Sequence, residues 1–154
     1  MADTSAGRSE QDADARTILA ALTVEKLNPA VYTCAELMNR SYASHLKMGR
    51  VNDFVVSGEY GAYMLAQAAM NRGLMGVFSE LLTYQHGNEF YRTVLPSEWF
   101  GKSFNDLFVQ LKQSHNAILI AVHAATGEMI VNPAQHVFSE GDEIVVIAER
   151  EIRL

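Results

Sequence analysis

Glu36 is the carboxylate of this sequence that is best placed to contact a ligand. It ends a short β-prone run, Val31–Glu36, and open α/β sheets place their ligand sites at the carboxyl ends of parallel strands. A metal ion held by oxygen atoms needs several of them, so further oxygen donors would have to come from elsewhere in the chain. Met38, two residues on, supplies none. The alternative interpretation is an ordinary solvent-exposed strand end.

Glu10, Asp12 and Asp14 form a second acidic group near the N-terminus. Carboxylates at the start of a helix are favoured by the helix macrodipole. Asp12 or Asp14 also has the short oxygen-bearing side chain that caps a helix. We therefore assign this group to a helix start and not to a metal site.

The remaining metal-binding and nucleophilic side chains show no catalytic arrangement. The five histidines have no spacing that puts two of them on one helical face, which argues against a zinc site. Cys34 is predicted to be a small buried hydrophobe within a strand, because no base is placed near it. No G-x-S-x-G, P-loop or H-E-x-x-H motif occurs. We name no catalytic residue and predict that the chain is not an enzyme.

The composition is typical of a soluble globular protein. The chain has 154 residues and a net charge of −6, which argues against a nucleic-acid-binding surface. Its one cysteine excludes an internal disulfide framework and fits a reducing compartment. No apolar run approaches the roughly twenty residues that span a bilayer, and the N-terminus lacks the apolar core of a secretory signal. We expect a soluble chain that does not itself insert into the membrane.

Residues 1–60 are predicted to alternate between helices and strands. A helix with apolar residues at the helical period ends at Asn28-Pro29, because the residue before a proline is pushed out of the helical region. The strand Val31–Glu36, the short helix Asn39–Met48 with Tyr42 and Leu46 inward, and the strand Asp53–Ser57 follow. This order predicts the parallel βα units of a partial Rossmann-like α/β domain.

Residues 61–86 are predicted to form a pair of apolar helices. Gly61–Met70 is apolar nearly all the way round, and a second amphipathic helix runs from Leu74 to Leu82 after an Asn71-Arg72-Gly73 turn. Such helices must be covered on more than one side. We predict a helix-turn-helix crossover, or hinge, that packs against a second copy of the chain. The predicted interface residues are Tyr63, Met64, Met70, Met75, Phe78 and Leu82.

Residues 87–154 are predicted to form a second, α+β domain. The strand Glu89–Leu95 is followed by the helix Phe104–Gln113, which Ser103 caps. Three further strands are predicted: Ala117–Val122 as a fully buried one, then Glu128–Val131 and Glu143–Ala148. The order is β-α-β-β-β, with Asn132-Pro133 in a loop.

The sequence resembles the regulator-of-conductance (RCK, TrkA-type) family of potassium channels and uptake systems. ARTILAALTVEKLNPAVYTCAEL, HLKMGRVNDFVVS and GAYMLAQAAMNRG are similar to the second half of the RCK N-terminal domain. LPSEWFGKSFNDL, HNAILIAV, GEMIVNP and FSEGDEIVVIA are similar to the TrkA C-terminal (RCK-C) domain. The resemblance implies a cytoplasmic gating module that forms a homodimer or a larger ring and acts on a potassium-channel pore or membrane subunit.

One departure from the family pattern concerns nucleotide binding. A complete RCK N-terminal domain carries a G-x-G-x-x-G turn that cradles a pyrophosphate. Gly58 and Gly61 are spaced differently and follow a later strand. The chain is therefore expected to begin after the fourth strand of that domain, near Asp3, as a truncated or engineered piece, and the usual nucleotide site is not assigned.

The resemblance also implies two ligand sites. In calcium-gated members, the positions that match Asp3 and Glu36 hold metal. In members that sense cyclic dinucleotides, the positions that match His123, Asn132 and Pro133 line a site between two RCK-C domains. Calcium, a nucleotide or cyclic di-AMP are the ligand classes this implies, and the sequence does not choose among them. The alternative functions are a truncated nucleotide-dependent oxidoreductase and a ligand-free oligomerisation module.

Overall fold

The computed structural model describes residues 9–83 and 87–154, and for Glu10 the backbone only. Within it the chain divides into two units, the first ending at Arg72 and the second beginning at Gly73. The two long apolar helices fall on either side of this division. The predicted domain boundaries near residues 60 and 86 stay predictions.

The first unit contains the predicted parallel βα arrangement. Strands β1 and β2 pair in parallel, with a register that runs from Cys34 opposite Asp53 to Leu37 opposite Val56. Its elements are helix α1 (Glu10–Leu27), strand β1 (Cys34–Leu37), helix α2 (Ala43–Met48), strand β2 (Asp53–Val56) and helix α3 (Ser57–Met70). Helix α3 begins four residues before the predicted Gly61, because the chain passes from β2 into the helix without a loop.

The start of α1 differs from the prediction. Ser9 caps the helix, and its hydroxyl accepts a hydrogen bond from the Asp12 backbone N–H. Asp14 is fully buried and accepts hydrogen bonds from the backbone N–H groups of Met38 and Asn39, at 2.7 and 3.0 Å. Asp14 therefore fastens α1 to the chain that leaves β1, and its assignment as a cap was wrong.

The core of the first unit lies between the short strands and the helices α1 and α2. Leu37 and Leu46 are fully buried, and Tyr42 packs against the same cluster, as predicted. The prediction of a buried Cys34 was wrong, since its side chain is exposed. Successive residues of a strand point to opposite faces, and in β1 the buried positions are Ala35 and Leu37.

The second unit has the predicted β-α-β-β-β order after one helix. Its four strands form an antiparallel sheet in the order β3-β6-β4-β5. Its elements are helix α4 (Leu74–Leu82), strand β3 (Glu89–Val94), helix α5 (Phe104–His115), and strands β4 (Ile118–His123), β5 (Met129–Val131) and β6 (Glu143–Ala148). A bulge between Leu119 and Ala121 interrupts the pairing of β4 with β6.

Helix α5 covers one face of this sheet. A capping box joins Ser103 and Asp106 at its start, and Leu107 and Leu111 pack into the core with Ile144 and Val146. The prediction that β4 is fully buried holds for Leu119, Ala121 and Val122 but is wrong for Ile118, which is 39% exposed. We call the face of the sheet opposite α5 the outer face.

Asp142 fixes the loops before β6. Its carboxylate is 3% exposed and accepts hydrogen bonds from the N–H groups of Ala125 and Ser139 and from His136 Nε2, at 3.0, 2.9 and 3.0 Å. Burial alone raises the pKa of Asp142, but these bonds outweigh it and bring the pKa below the ordinary aspartate value. The carboxylate is therefore ionised and holds three separate segments together.

Candidate functional site

Helices α3 and α4 expose apolar side chains. Neither helix has a single buried residue. Tyr63 and Met70 are 63% and 81% exposed. Of the other predicted interface residues, Met75 and Leu82 are exposed, and Met64 and Phe78 are half-buried.

An apolar helix with no buried residue gains free energy when another surface covers it, because its apolar area leaves water. Across the part of the chain that the structure describes, no helix is both long and apolar enough to cross a membrane. Each helix by itself, α3 with Tyr63 and Met70 and α4 with Met75 and Leu82, exposes apolar area that a covering protein surface would remove from water.

His123 belongs to a polar cluster on the outer face of the second unit. It lies at the end of β4, directly opposite Glu143 of β6. Its Nδ1 atom lies 2.8 Å from an Arg92 guanidinium nitrogen and 3.2 Å from Glu143 Oε2. The Nε of Arg92 donates to Glu143 Oε2 at 2.7 Å. A guanidinium, an imidazole and a carboxylate thus meet at one place on the sheet.

Arg92 and Glu143 are the functional candidates that sequence reasoning missed. Alternation along β3 and β6 could have placed both on the outer face, because Tyr91 and Ile144 point to the core. Their meeting with His123 depends on the register of three strands that are far apart in sequence. That register could not be read from any local pattern.

The predicted loop residues lie apart from His123 within one chain. The Asn132 N–H donates to the Ile120 carbonyl at 2.8 Å, whereas His123 pairs with Met129. Asn132 therefore lies beside Ile120, which is three residues before His123 in β4. Measured along the strand, Asn132 and His123 are about 10 Å apart. Asn132 has a positive φ of 47°, and Pro133 follows it in the loop. A ligand that contacts both His123 and this loop would have to span that distance.

Glu36 lies near the carboxyl ends of β1 and β2, where α3 begins. The hydroxyl of Ser57, the first residue of α3, donates to the Glu36 carboxylate, which is half-buried. Asp3, the other predicted metal ligand, lies outside the described residues. Among residues 9–83 and 87–154, no group of three or more His, Cys, Asp and Glu side chains is arranged to hold a metal ion. The metal site at Asp3 and Glu36 remains a prediction.

Sequence comparison finds relatives among plant ion channels. The chain is 30% identical over 144 residues to the probable ion channel POLLUX of Arabidopsis thaliana and 28% identical over 145 residues to the ion channel POLLUX of Lotus japonicus. Each alignment covers 91% of this chain but only 17% and 15% of the relative. The chain thus corresponds to a small part of these longer proteins.

Structural comparison identifies the fold. The chain superposes on part of the human SLO3 gating ring with a TM-score of 0.79 at 16% identity, over 97% of this chain and 32% of that one. The predicted RCK-type α/β fold is confirmed by this match. The family model described as "Castor and Pollux, part of voltage-gated ion channel" matches residues 61–153, which is more than half of the chain. The chain therefore belongs to the Castor and Pollux family.

Proposed function

We propose that this chain is a cytoplasmic regulatory module that gates a potassium-conducting ion channel. Its family and its gating-ring fold support a role in an ion channel. The conducted ion, the cytoplasmic location and the absence of enzymatic activity are part of the proposal. The pore lies outside this chain, and the curated relatives, of which the chain spans at most 17%, are long enough to include one.

The observation that carries the proposal is that α3 and α4 each expose apolar side chains. Neither helix has a buried residue, and Tyr63 and Met70 are largely exposed. Exposed apolar area of this kind is unfavourable in water, and it is typical of a surface that binds another protein. Since most oligomers of soluble proteins are symmetric homo-oligomers, a second copy of the chain is the cover we propose. The assembly is a homodimer or a larger ring.

Gating also requires a ligand that binds two arrangements of the paired subunits with different affinities. Two places support this part of the proposal. One is the cluster of Arg92, His123 and Glu143 on the outer face, and the other is Glu36 beside the start of α3. The ligand classes are calcium, a nucleotide or cyclic di-AMP.

The proposed self-association is tested by placing one charge on α3. We expect the purified chain to have at least the mass of a dimer by light scattering, and Tyr63→Asp to have the mass of one chain. A carboxylate buried in an apolar interface without a partner is strongly unfavourable.

Val109→Asp is the matched control, because Val109 is an exposed apolar residue of α5, outside the proposed interface. This variant keeps the mass of the unaltered chain. A monomeric parent chain, or an unchanged mass for Tyr63→Asp, rules out the interface on α3.

A further inference from the structure

A groove of about 640 Å³ lies between α4, the end of α5 and the sheet of the second unit. Its apolar walls come from Val77 and Leu81 of α4 and from Ile118 and Ile147, which pair with each other on the outer face. Small-molecule sites in proteins have volumes of about 300–1,000 Å³ and are mostly apolar, with a few polar groups that orient the ligand. The groove has the size and the lining of such a site.

A glycine keeps the groove open. Gly76 lines it from within α4, and a Cβ added at this position would meet no heavy atom within 4 Å. Glycine in the interior of a helix is less stable than alanine, and no close contact with the rest of the described chain requires it here. The effect of Gly76 is to leave room between α4 and the sheet.

Hydrogen-bond donors are gathered where α5 borders the groove. Lys112 Nζ donates to Asn116 Oδ1 at 2.7 Å, which leaves the other ammonium N–H groups and the Asn116 amide N–H₂ as donors. Among the side chains that the structure describes, no carboxylate forms an ion pair with Lys112. An ammonium and an amide side by side can donate to both oxygens of one carboxylate.

The one carboxylate that lines the groove is already engaged within the chain. Glu80 Oε1 accepts hydrogen bonds from the Asn88 backbone N–H at 3.2 Å and from Asn88 Nδ2 at 2.9 Å. These bonds fasten α4 to the residue that precedes β3. The charge of Glu80 is therefore compensated by two donors, whereas the described contact of Lys112 is with a neutral amide oxygen.

We propose that this groove binds a small monocarboxylate that carries an apolar chain. The carboxylate accepts hydrogen bonds from Lys112 and Asn116. The apolar chain lies beside Gly76 and covers Ile118 and Ile147, whose apolar area then leaves water.

The groove and the proposed subunit interface occupy opposite sides of α4. An α-helix has about 3.6 residues per turn, so the groove-lining positions 76, 77, 80 and 81 share one side of the helix, and Met75 and Leu82 lie on the other. A ligand that moves α4 relative to the sheet therefore also moves the surface offered to a second copy. This role in gating rests on the proposed function, whereas the binding itself is a property of the second unit.

The test follows the isoleucine methyl groups of the full chain by NMR during titration with octanoate. We expect the Ile118 and Ile147 methyl signals to shift and to saturate, while the signal of Ile144, in the core under α5, stays in place as the reference. Octanol and octyltrimethylammonium, which carry the same chain without the negative charge, bind several-fold more weakly, and acetate causes no shift. Unmoved Ile118 and Ile147 signals, or octanol that binds as tightly as octanoate, overturn the proposal.

Two pairs of variants locate the site. Gly76→Leu fills the groove and abolishes the octanoate shifts, whereas Gln110→Leu, which adds the same side chain at an exposed position of α5 outside the groove, binds as the parent chain does. Lys112→Gln weakens binding several-fold because it removes the charge and keeps a polar side chain. Lys102→Gln removes a cation that lies over the Trp99 ring, outside the groove, and leaves the affinity unchanged.

Octanoate binding that survives Gly76→Leu, or that is equally tight in Lys112→Gln and Lys102→Gln, contradicts the assignment. The lysine pair decides the question even if Gly76→Leu does not fold. Because the affinity is measured per chain, a monomeric parent chain that binds octanoate rules out the proposed self-association and leaves this site in place.

Discussion

Asp142 illustrates how a single buried side chain organises the second unit. Its carboxylate joins the turn after β4, the segment at Ser139 and the ring of His136, and His136 packs edge-on against Phe138 in the core. Hydrogen bonds to a charged group are worth more than neutral ones, and leaving a buried donor unpaired is costly. The loops before β6 therefore depend on one ionised aspartate.

We predict that Asp142→Asn lowers the free energy of unfolding by about 1–3 kcal/mol at neutral pH, because the neutral amide cannot replace all three charge-assisted acceptor contacts. Chemical denaturation followed by circular dichroism measures this difference. The exposed Glu140→Gln removes a nearby charge and serves as the control. An Asp142→Asn variant as stable as the control would show that the network contributes little.

The same carboxylate predicts a pH dependence. Because the pKa of Asp142 is lowered in the folded chain, its contribution is complete above the unfolded-state value of about 3.9 and is lost as pH falls through the lower folded value. The stability difference between the parent chain and Asp142→Asn should therefore shrink below about pH 4. A difference that grows on acidification would contradict this assignment.

At the scale of elements, helix packing in the first unit depends on close approach at Gly49. A Cβ added there would lie 1.8 Å from Leu22 Cδ2 and 3.4 Å from the His45 carbonyl oxygen. Gly49 follows α2 directly and has an ordinary φ of −81°, so backbone conformation alone does not require glycine. Glycine is needed at position 49 for a steric reason, because the Leu22 side chain of α1 occupies the space that a Cβ would fill.

We predict that Gly49→Ala destabilises the first unit by about 1–2 kcal/mol, because Leu22 must leave its position or α1 must shift. Thermal unfolding measures the effect. Gly61→Ala is the matched control, since a Cβ at this position of α3 meets nothing within 4 Å, and alanine favours a helix by up to about 1 kcal/mol. If Gly49→Ala and Gly61→Ala unfold at the same temperature, α1 can move away from residue 49 without loss of stability.

The elements that sequence predicted well are those whose local pattern agrees with their packing. The Ser103 cap and the apolar period of α5 place that helix correctly, and β6 has the predicted bounds Glu143–Ala148. The errors arise where contacts between residues distant in sequence determine burial and hydrogen bonding. The apolar run in β4 was predicted to be fully buried, but Ile118 is exposed. Asp14 looked like a cap because its partners, the backbone N–H groups of Met38 and Asn39, are more than twenty residues away in the sequence.

At the scale of the whole molecule, the two units carry different parts of the proposed function. The first unit holds Glu36 and the exposed helix α3, and the second holds α4 and the cluster at His123. The sequence could predict that these two helices expose apolar side chains in a single chain, because both are too apolar to be covered by the rest of so small a protein. It could indicate His123 only by resemblance, and it could not find Arg92, since the strand register that joins them is a property of the folded sheet.

The central claim, that this chain is a self-associating module that senses a ligand, is tested most directly by one measurement. The mass and the melting temperature of the purified chain are determined with and without calcium, ATP, NADH and cyclic di-AMP. A ligand that prefers the native assembly stabilises it by mass action, by about 2.7 kcal/mol at a hundredfold excess over Kd. We predict a dimer or larger ring whose melting temperature rises by several degrees with one of the four. A monomer whose mass and melting temperature respond to none of them would contradict the account.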